Sequence, residues 1–205
     1  MAGLSCLCSI PAIIFIKNST YLGGLEMKEI RLHGIGGLGT VKAGEILVHA
    51  AVMEGKYGNS IPFFGFERQG APVTSFVRLD DTPIRPKNQV YHPNCVIILE
   101  PGVMNAVNVF DGLRDDSFFI LNTKLTAGEI KVTDAVKTIA YLDATQIALD
   151  ILGKPITNTV MLGAFVKATG WVSLPLLEER VRELFGENNV SALRHGHELA
   201  RIIER

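Results

Sequence analysis

Apolar and polar positions along the chain alternate between short continuous apolar runs and longer stretches with helical spacing. The first run, KEIRLHGI from Lys28, predicts a strand, and TVKAGEILVHAAVMEGK from Thr40 has apolar residues at the spacing of one helix face. Three later runs, NCVIILEPG, SFFILNT and TIAYLDAT, have the composition of strands buried on both faces. Helical stretches such as VMNAVNVFDGL and ATQIALDILG alternate with them, which is typical of an α/β sheet with crossover helices.

Two further regions complete the predicted fold. PVTSFVRLDD alternates from Val73 to Leu79 and runs into an Asp-Asp turn followed by TPI, which predicts a β-hairpin. The C-terminal part predicts three helices, NTVMLGAFVKATG, PLLEERVRELFG and NVSALRHGHELARIIER. Asn158 or Thr159 can cap the first of these helices, and Gly170 can end it. We therefore predict a single Rossmann-like α/β domain with a mostly parallel sheet, flanking helices, a β-hairpin insertion and a helical C-terminus.

The composition says more about which partners the chain can bind than about its fold. With 205 residues, 47% of them hydrophobic, the chain can close the core of one domain. A net charge of -1 without a dense basic run argues against nucleic acid and against an anionic membrane as partners. The 3 cysteines lack metal-ligand spacing, so we expect no iron-sulfur cluster or zinc site within this chain. An odd cysteine count without a disulfide framework suits the cytoplasm.

The first 26 residues are apolar without periodicity. Their uncharged run before Lys17 has 16 residues, whereas a membrane span needs about 20. A signal peptide is one interpretation, although a basic start and an A-x-A cleavage site are missing. An arm packed on the domain is another. We expect translation to begin at Met27, because Gly23-Gly24 can be encoded as a ribosome-binding sequence; residues 1–26 are then an extension before the domain at 27–205.

Four glycines lie within six residues where the first predicted strand meets the first predicted helix: Gly34, Gly36, Gly37 and Gly39. They fit G-x-G-x-x-G in a strand, turn and helix, where backbone N–H groups and the helix dipole favour a phosphate. A nicotinamide site also needs an acidic residue at the end of the second strand. Glu54 instead lies at the end of the helix, which argues against a dehydrogenase. A tight turn without a ligand stays open as an alternative.

A second unusual stretch, FFGFERQGAPV, places adjacent charges at Glu67 and Arg68 between glycines and aromatic residues. Charges beside exposed aromatic rings, with glycines that permit an irregular backbone, predict a contact surface or a site loop. A solvated turn over buried phenylalanines is the alternative.

Four linked segments together resemble a known family: GIGGLGTVKAGEIL, FGFERQGAPVTSFVRLDDTPIR, LNT and TNTVMLGAFVKATG. From about Met27 to the C-terminus, the chain is similar to the gamma subunits of 2-oxoacid:ferredoxin oxidoreductases, with pyruvate:ferredoxin oxidoreductases (pyruvate synthases) most similar. The family motif reads E-R-R-G-A-P or E-R-T-G-A-P, and here Gln69 replaces its third residue. This departure leaves the oxoacid open, because related enzymes act on aromatic, branched or dicarboxylic 2-oxoacids.

The resemblance implies one subunit of a thiamine diphosphate-dependent enzyme. Such enzymes convert a 2-oxoacid, coenzyme A and oxidised ferredoxin into acyl-CoA, carbon dioxide and reduced ferredoxin. In this family, alpha and beta subunits build the site of thiamine diphosphate and Mg²⁺, and a delta subunit or domain holds [4Fe-4S] clusters. The gamma subunit helps form the coenzyme A site and the subunit interface. We therefore expect this chain to bind none of these cofactors alone, to be inactive alone, and to meet ferredoxin only through the complex. The alternative is a free-standing nucleotide- or coenzyme-binding Rossmann-like protein.

The resemblance also implies candidate site residues. The Arg68 guanidinium can hold a phosphate or carboxylate through two hydrogen bonds, and Glu67 would orient it or pair across the interface. Asn122 and Asn158, at a predicted strand end and helix start, would line the same crevice or serve as turn and cap residues. The predicted coenzyme-binding residues are Gly34, Gly36, Gly37, Gly39, Thr40, Arg68, Asn122 and Asn158. The predicted interface residues are Phe66, Glu67, Arg68 and Gln69, and no catalytic residue or metal ligand is predicted.

Overall fold

The computed structural model describes residues 27–64 and 71–205. Within them, the strands are β1 Lys28–Ile35, β2 Tyr57–Phe64, β3 Pro72–Asp80, β4 Cys95–Ile98, β5 Ser117–Asn122, β6 Val136–Leu142 and β7 Arg201–Glu204. The α-helices are α1 Thr40–Met53, α2 Ala144–Leu152, α3 Asn158–Thr169, α4 Leu174–Phe185 and α5 Glu187–Leu199. The predicted N-terminal extension lies outside the described residues. No helix in the described part of the chain is long and apolar enough to cross a membrane.

The strands form one sheet in the order β2-β3-β1-β4-β5-β6-β7. Strands β1, β4, β5 and β6 are parallel neighbours. Strand β3 is antiparallel to both β1 and β2, and β7 is antiparallel to β6. Five of the seven strands therefore point the same way, which confirms the predicted mostly parallel α/β sheet.

The two faces of the sheet are covered differently. Because side chains alternate along a strand, Ile30 and Leu32 of β1 point toward the helices, while Glu29, Arg31 and His33 point away from them. All five described α-helices contribute side chains to the hydrophobic core on the first face. A smaller apolar cluster, which includes residues of β4, β5 and β6, occupies the second face under irregular segments of the chain.

One predicted helix is wrong. The stretch VMNAVNVFDGL contributes only to a short 3-10 helix, Pro101–Asn105, followed by turns. Near the end of this stretch the backbone is also not helical, since Gly112 has φ +67° and a Cβ atom there would lie 2.1 Å from the carbonyl oxygen of Tyr91. Val103 and Val109 are nevertheless buried, so their apolar character reflects packing on the second face of the sheet.

The predicted hairpin is present, but its partner strand differs from the prediction. Strand β3 pairs with the preceding β2 and not with the TPI segment after it, in a register that sets Ser60 opposite Val77. Strand β2 lies at the edge of the sheet, where Pro62 is tolerated because one side of the backbone has no neighbour. Since β3 lies between β1 and β2, the second strand of a dinucleotide-binding unit is not beside β1.

The C-terminal region contains the three predicted helices and one strand that was not predicted. Residues Arg201–Glu204 form β7, with Arg201 opposite Tyr141 of β6. Gly170 ends α3 with φ +61°, as predicted. Thr157 occupies the N-cap position of α3, so the prediction of Asn158 or Thr159 is wrong by one or two residues.

Candidate functional site

A groove of about 540 Å³ opens where the glycine loop leaves β1 and enters α1. Gly37, Gly39 and Lys42 contribute the wall on the side of the loop. Lys154 and Asn158 contribute the wall near the start of α3. The remaining lining comes from the α4–α5 junction and the end of α2: Leu152, Ile156, Phe185, Asn188 and Asn189.

The start of α1 contains neither a side-chain cap nor an acidic side chain that would interact with the positive end of the helix dipole. Gly39 occupies the N-cap position in the left-handed conformation, with φ +77°, and provides no side-chain capping bond. No acidic residue lies in the first turn. The first N–H groups of α1, which have no side-chain cap in the described part of the chain, and the positive end of the dipole are therefore available to an anion.

Two other helices begin at the same groove. Thr157 at the N-cap of α3 and Gly186 at the N-cap of α5 form no side-chain capping bond either, but Glu187 lies in the first turn of α5, and α2 and α4 end at the same groove. Lys42 and Lys154 add positive charge, and none of the described residues that line the groove carries a carboxylate. Lys42 also pairs with Glu45 at 2.5 Å, with both side chains about half exposed, so this pair neutralises it only weakly. At the glycine loop, the start of α1 together with Lys42 and Lys154 favours a bound anion.

Asn158 is held tightly at the wall of this groove. It is only 3% exposed, and its Oδ1 accepts a hydrogen bond from the Thr159 N–H at 2.8 Å. Within the described part of the chain its Nδ2 donates no hydrogen bond. A Cβ atom at Gly39 would lie 2.5 Å from this Nδ2. The absence of a side chain at position 39 therefore makes room for an amide whose donor is available to a ligand.

Three other predicted site residues, Gly34, Gly36 and Thr40, lie at the glycine loop and make contacts within the fold. A Cβ atom at Gly34 would lie 2.2 Å from Thr40 Oγ1, which is itself buried and has no hydrogen-bond partner. The Gly36 N–H donates to the Ala71 carbonyl oxygen at 3.0 Å. This bond fixes the start of β3 beside the glycine loop. The predicted residues Phe66, Glu67, Arg68 and Gln69 lie outside the described residues, and their roles stay predictions.

Asn122 does not line the groove with Asn158. Its Nδ2 donates to the Leu99 carbonyl oxygen and to Thr145 Oγ1, both at 2.9 Å. Its Oδ1 accepts from the N–H groups of Ala144 at 2.9 Å and Thr145 at 3.3 Å. The amide is fully used in joining the end of β5 to the start of α2. These contacts correspond to the turn-and-cap alternative for this residue.

His33 lies just before the glycine loop but adds no charge to it. Burial, and to a smaller extent the nearby Arg31, lower the pKa of His33 to about 3. Its Nδ1 lies 3.4 Å from Thr74 Oγ1, whereas its Nε2 is buried without a hydrogen-bond partner. The imidazole is therefore neutral near pH 7.

Sequence reasoning missed seven of the ten described residues that line the groove: Lys42, Leu152, Lys154, Ile156, Phe185, Asn188 and Asn189. Lys42 could have been found, because it lies in the first turn of the helix that follows the glycine loop. The others come from three separate segments, and only the packing of α5 against α2 and α3 brings them to the loop.

Comparison with known proteins gives consistent results. Residues 29–199 match the family model described as pyruvate ferredoxin/flavodoxin oxidoreductase. The common gamma subunit of pyruvate/ketoisovalerate oxidoreductases from Pyrococcus furiosus is 47% identical over 184 residues, covering 87% of this chain and 100% of that protein. Pyruvate synthase subunit PorC from Methanothermobacter thermautotrophicus is 48% identical, with 84% and 95% covered. The crystal structure of pyruvate oxidoreductase subunit PORC from Thermotoga maritima has a TM-score of 0.77 at 33% identity, covering 87% of this chain and 99% of that one.

Proposed function

Because the chain belongs to the pyruvate ferredoxin/flavodoxin oxidoreductase family, in which it is a gamma subunit, we propose that it works in a cytoplasmic, thiamine diphosphate-dependent complex and contributes the groove that holds coenzyme A. The complex would oxidise a 2-oxoacid with coenzyme A to acyl-CoA and carbon dioxide, and would reduce ferredoxin. Pyruvate is the oxoacid that we propose, since the names of the relatives include it.

The observation that carries the coenzyme A proposal is the charge of the groove. The start of α1, which has no side-chain cap and no acidic residue in its first turn, meets two lysines there, and none of the described lining residues carries a carboxylate. A helix N-terminus stabilises an anion by about 0.3–1 kcal/mol, and a charge-assisted hydrogen bond contributes about 1.5–3 kcal/mol. Coenzyme A is the substrate of this enzyme class that carries phosphates.

The redox chemistry is assigned to partner subunits. In residues 27–64 and 71–205, no group of three His, Cys, Asp or Glu side chains could hold a metal ion. As the family resemblance implies, we propose that alpha and beta subunits hold thiamine diphosphate with Mg²⁺, and that a delta subunit holds [4Fe-4S] clusters and contacts ferredoxin. This chain would bind and orient coenzyme A and would be inactive when isolated.

Arg68 remains the proposed second contact for an anionic group. The Gly36–Ala71 hydrogen bond supports this proposal indirectly, because Ala71 follows the FERQG segment closely in the sequence. Glu67, Phe66 and Gln69 are proposed to contact a partner subunit.

Steady-state kinetics of the assembled complex with Lys154→Ala test the coenzyme A proposal. We expect the KM for coenzyme A to rise about tenfold, corresponding to about 1.4 kcal/mol of lost binding, while the KM for the oxoacid stays unchanged. Lys124→Ala is the matched control, since this lysine is 76% exposed and does not line the groove. An unchanged KM for coenzyme A in Lys154→Ala, or an equal rise in the control, would refute the proposal.

Purification from native cells tests the subunit assignment separately. We expect the chain to co-purify with thiamine- and cluster-bearing partners. A chain that purifies alone and binds NAD or ATP tightly without partners would instead support the free-standing binding protein.

A further inference from the structure

The groove extends beyond the glycine loop to a region that is not needed to hold a phosphate. Phe185, the last residue of α4, lines this part and is 39% exposed. Ile156 and Leu152 line the same groove, and Asn188 in the first turn of α5 is exposed beside them. An exposed aromatic ring beside apolar side chains and an amide can bind a nucleobase: the ring stacks on the base, and the amide pairs with its edge.

Asn189 positions the backbone at the end of α4 beside the start of α3. Its Nδ2 donates to the carbonyl oxygen of Phe185 at 3.3 Å, and its Oδ1 lies 3.4 Å from Thr159 Oγ1 of α3. The end of α4 is thereby tied to the start of α3, where Asn158 lies. Hydrogen bonds therefore connect the site for a base to the site for phosphates.

A side-chain donor without a partner in the described chain also points to a ligand in this groove. Asn158 is 3% exposed, and its Nδ2 faces the groove without a hydrogen-bond partner in the described chain. A volume of about 540 Å³ falls in the range of pockets that bind nucleotide-sized ligands. An asparagine amide matches the adenine edge, where it can donate one hydrogen bond and accept another.

We propose that the groove is an adenine-nucleotide site with its base subsite at Phe185 and Asn188, and that free ADP occupies it in competition with coenzyme A. The diphosphate lies between the glycine loop, Lys42 and Lys154. This inference rests on the proposed function and adds a regulatory ligand to the same groove. No contact described for the base or the phosphates distinguishes coenzyme A from a nucleotide that lacks its pantetheine arm. ADP therefore slows acyl-CoA formation when coenzyme A is scarce.

Inhibition kinetics of the assembled complex test the proposal, with ADP, GDP and inorganic pyrophosphate as probes. We expect ADP to raise the KM for coenzyme A without changing kcat, and to show no competition with the oxoacid. GDP and pyrophosphate should inhibit at least fivefold more weakly than ADP. Equal inhibition by ADP and pyrophosphate would overturn the base subsite.

Two variants connect the inhibition to the named residues. Phe185→Ala should raise the Ki for ADP and the KM for coenzyme A by the same factor, about five- to tenfold, whereas Phe185→Trp should retain both values. Asn188→Asp, which puts a carboxylate on the exposed surface of the groove, should weaken the binding of ADP in the same way. Leu184→Ala is the control, because this neighbouring side chain is also exposed but does not line the groove.

The outcomes separate this inference from the proposed function. If Lys154→Ala raises the KM for coenzyme A but ADP does not compete, the nucleotide inference is wrong and the coenzyme A proposal stands. If Lys154→Ala leaves that KM unchanged while ADP still inhibits through Phe185, the groove binds nucleotides but not coenzyme A. If neither effect is observed, both are wrong.

Discussion

Gly39 satisfies two separate requirements of the glycine loop, and its neighbour Gly37 satisfies only one. Both have positive φ, +77° and +98° respectively. A Cβ atom at Gly39 would also lie 2.5 Å from Asn158 Nδ2, whereas at Gly37 nothing lies within 4 Å. Backbone conformation alone therefore requires glycine at position 37, while conformation and packing together require it at position 39.

This difference gives a prediction for urea denaturation of the full chain. We expect Gly37→Ala to lower the free energy of unfolding by about 1–2 kcal/mol through the positive φ. Gly39→Ala should cost about 1–2 kcal/mol more, because the Asn158 amide must also move. Combining Gly39→Ala with Asn158→Ala should remove most of this additional cost in a double-mutant cycle. Additive losses in the double variant would show that the contact is not the cause.

His33 predicts how stability depends on pH. Its pKa is about 3 in the folded chain, below its ordinary value of 6.5, so the unfolded chain binds the proton more readily. Stability from this group is complete above pH 6.5, falls as the pH drops toward 3, and is lost below that. The total loss is at most about 5 kcal/mol. Denaturation between pH 3 and 7 should show a shallower decline for His33→Gln than for the native chain.

The control for this experiment is His195→Gln. His195 is exposed, and its Nδ1 lies 2.8 Å from the Ser191 carbonyl oxygen within the same helix. We expect this variant to keep the steep decline of the native chain. Equal slopes for the native chain and His33→Gln would contradict the assignment to His33.

At the scale of elements, the closest packing in the fold is that of α3 against α5, and two glycines permit it. A Cβ atom at Gly163 would lie 2.0 Å from the Leu193 carbonyl oxygen, and one at Gly196 would lie 2.0 Å from that of Val160. The two backbones are therefore nearly in contact. This close approach brings the start of α5, with Asn188, to the groove that begins at the glycine loop.

Elements with strong local patterns could be predicted from the sequence, and those defined by their neighbours could not. The sequence of β1 and α1 is sufficient to predict both elements, because the apolar spacing and the glycine turn between them indicate the same structure. Strand β2 contains glycine, asparagine, serine and proline, and it is a strand only because β3 offers it an edge. Strand β7 likewise depends on the free edge of β6, and its sequence continues a helical pattern.

The residues of the candidate site also fall into those that could be predicted from the sequence and those that could not. Gly37, Gly39 and Asn158 belong to motifs that the sequence shows, and the structure brings them together. Phe185 and Lys154 carry no local signal, because an aromatic residue at a helix end and a lysine in a turn are common on any surface. Asn122 has the pattern of a site residue, but its hydrogen bonds are all used within the fold.

At the scale of the whole molecule, the two faces of the sheet are stabilised by different forces. Apolar burial holds the helices on one face. On the other face, buried charged side chains of β1 and β3 hold irregular segments of the chain against the sheet. Arg78 of β3 is 2% exposed and donates to Glu29 of β1 at 2.8 Å. It also donates to the carbonyl oxygens of Asn88 at 2.8 Å and Gln89 at 3.0 Å. The guanidinium of Arg78 therefore holds the segment after β3 against the sheet.

Arg78→Ala should destabilise the whole chain far more than the loss of an exposed ion pair. It leaves the Glu29 carboxylate, whose side chain is 10% exposed, without one of its two arginine partners, and breaking a buried pair in this way costs about 3–5 kcal/mol. The matched control is Arg194→Ala, which removes an exposed arginine bound to Glu178 and should change the unfolding free energy little. Hydrogen exchange should rise in residues 84–92 of the Arg78 variant only. Similar unfolding free energies for the two variants would mean that apolar packing, and not the buried arginine, holds the second face together.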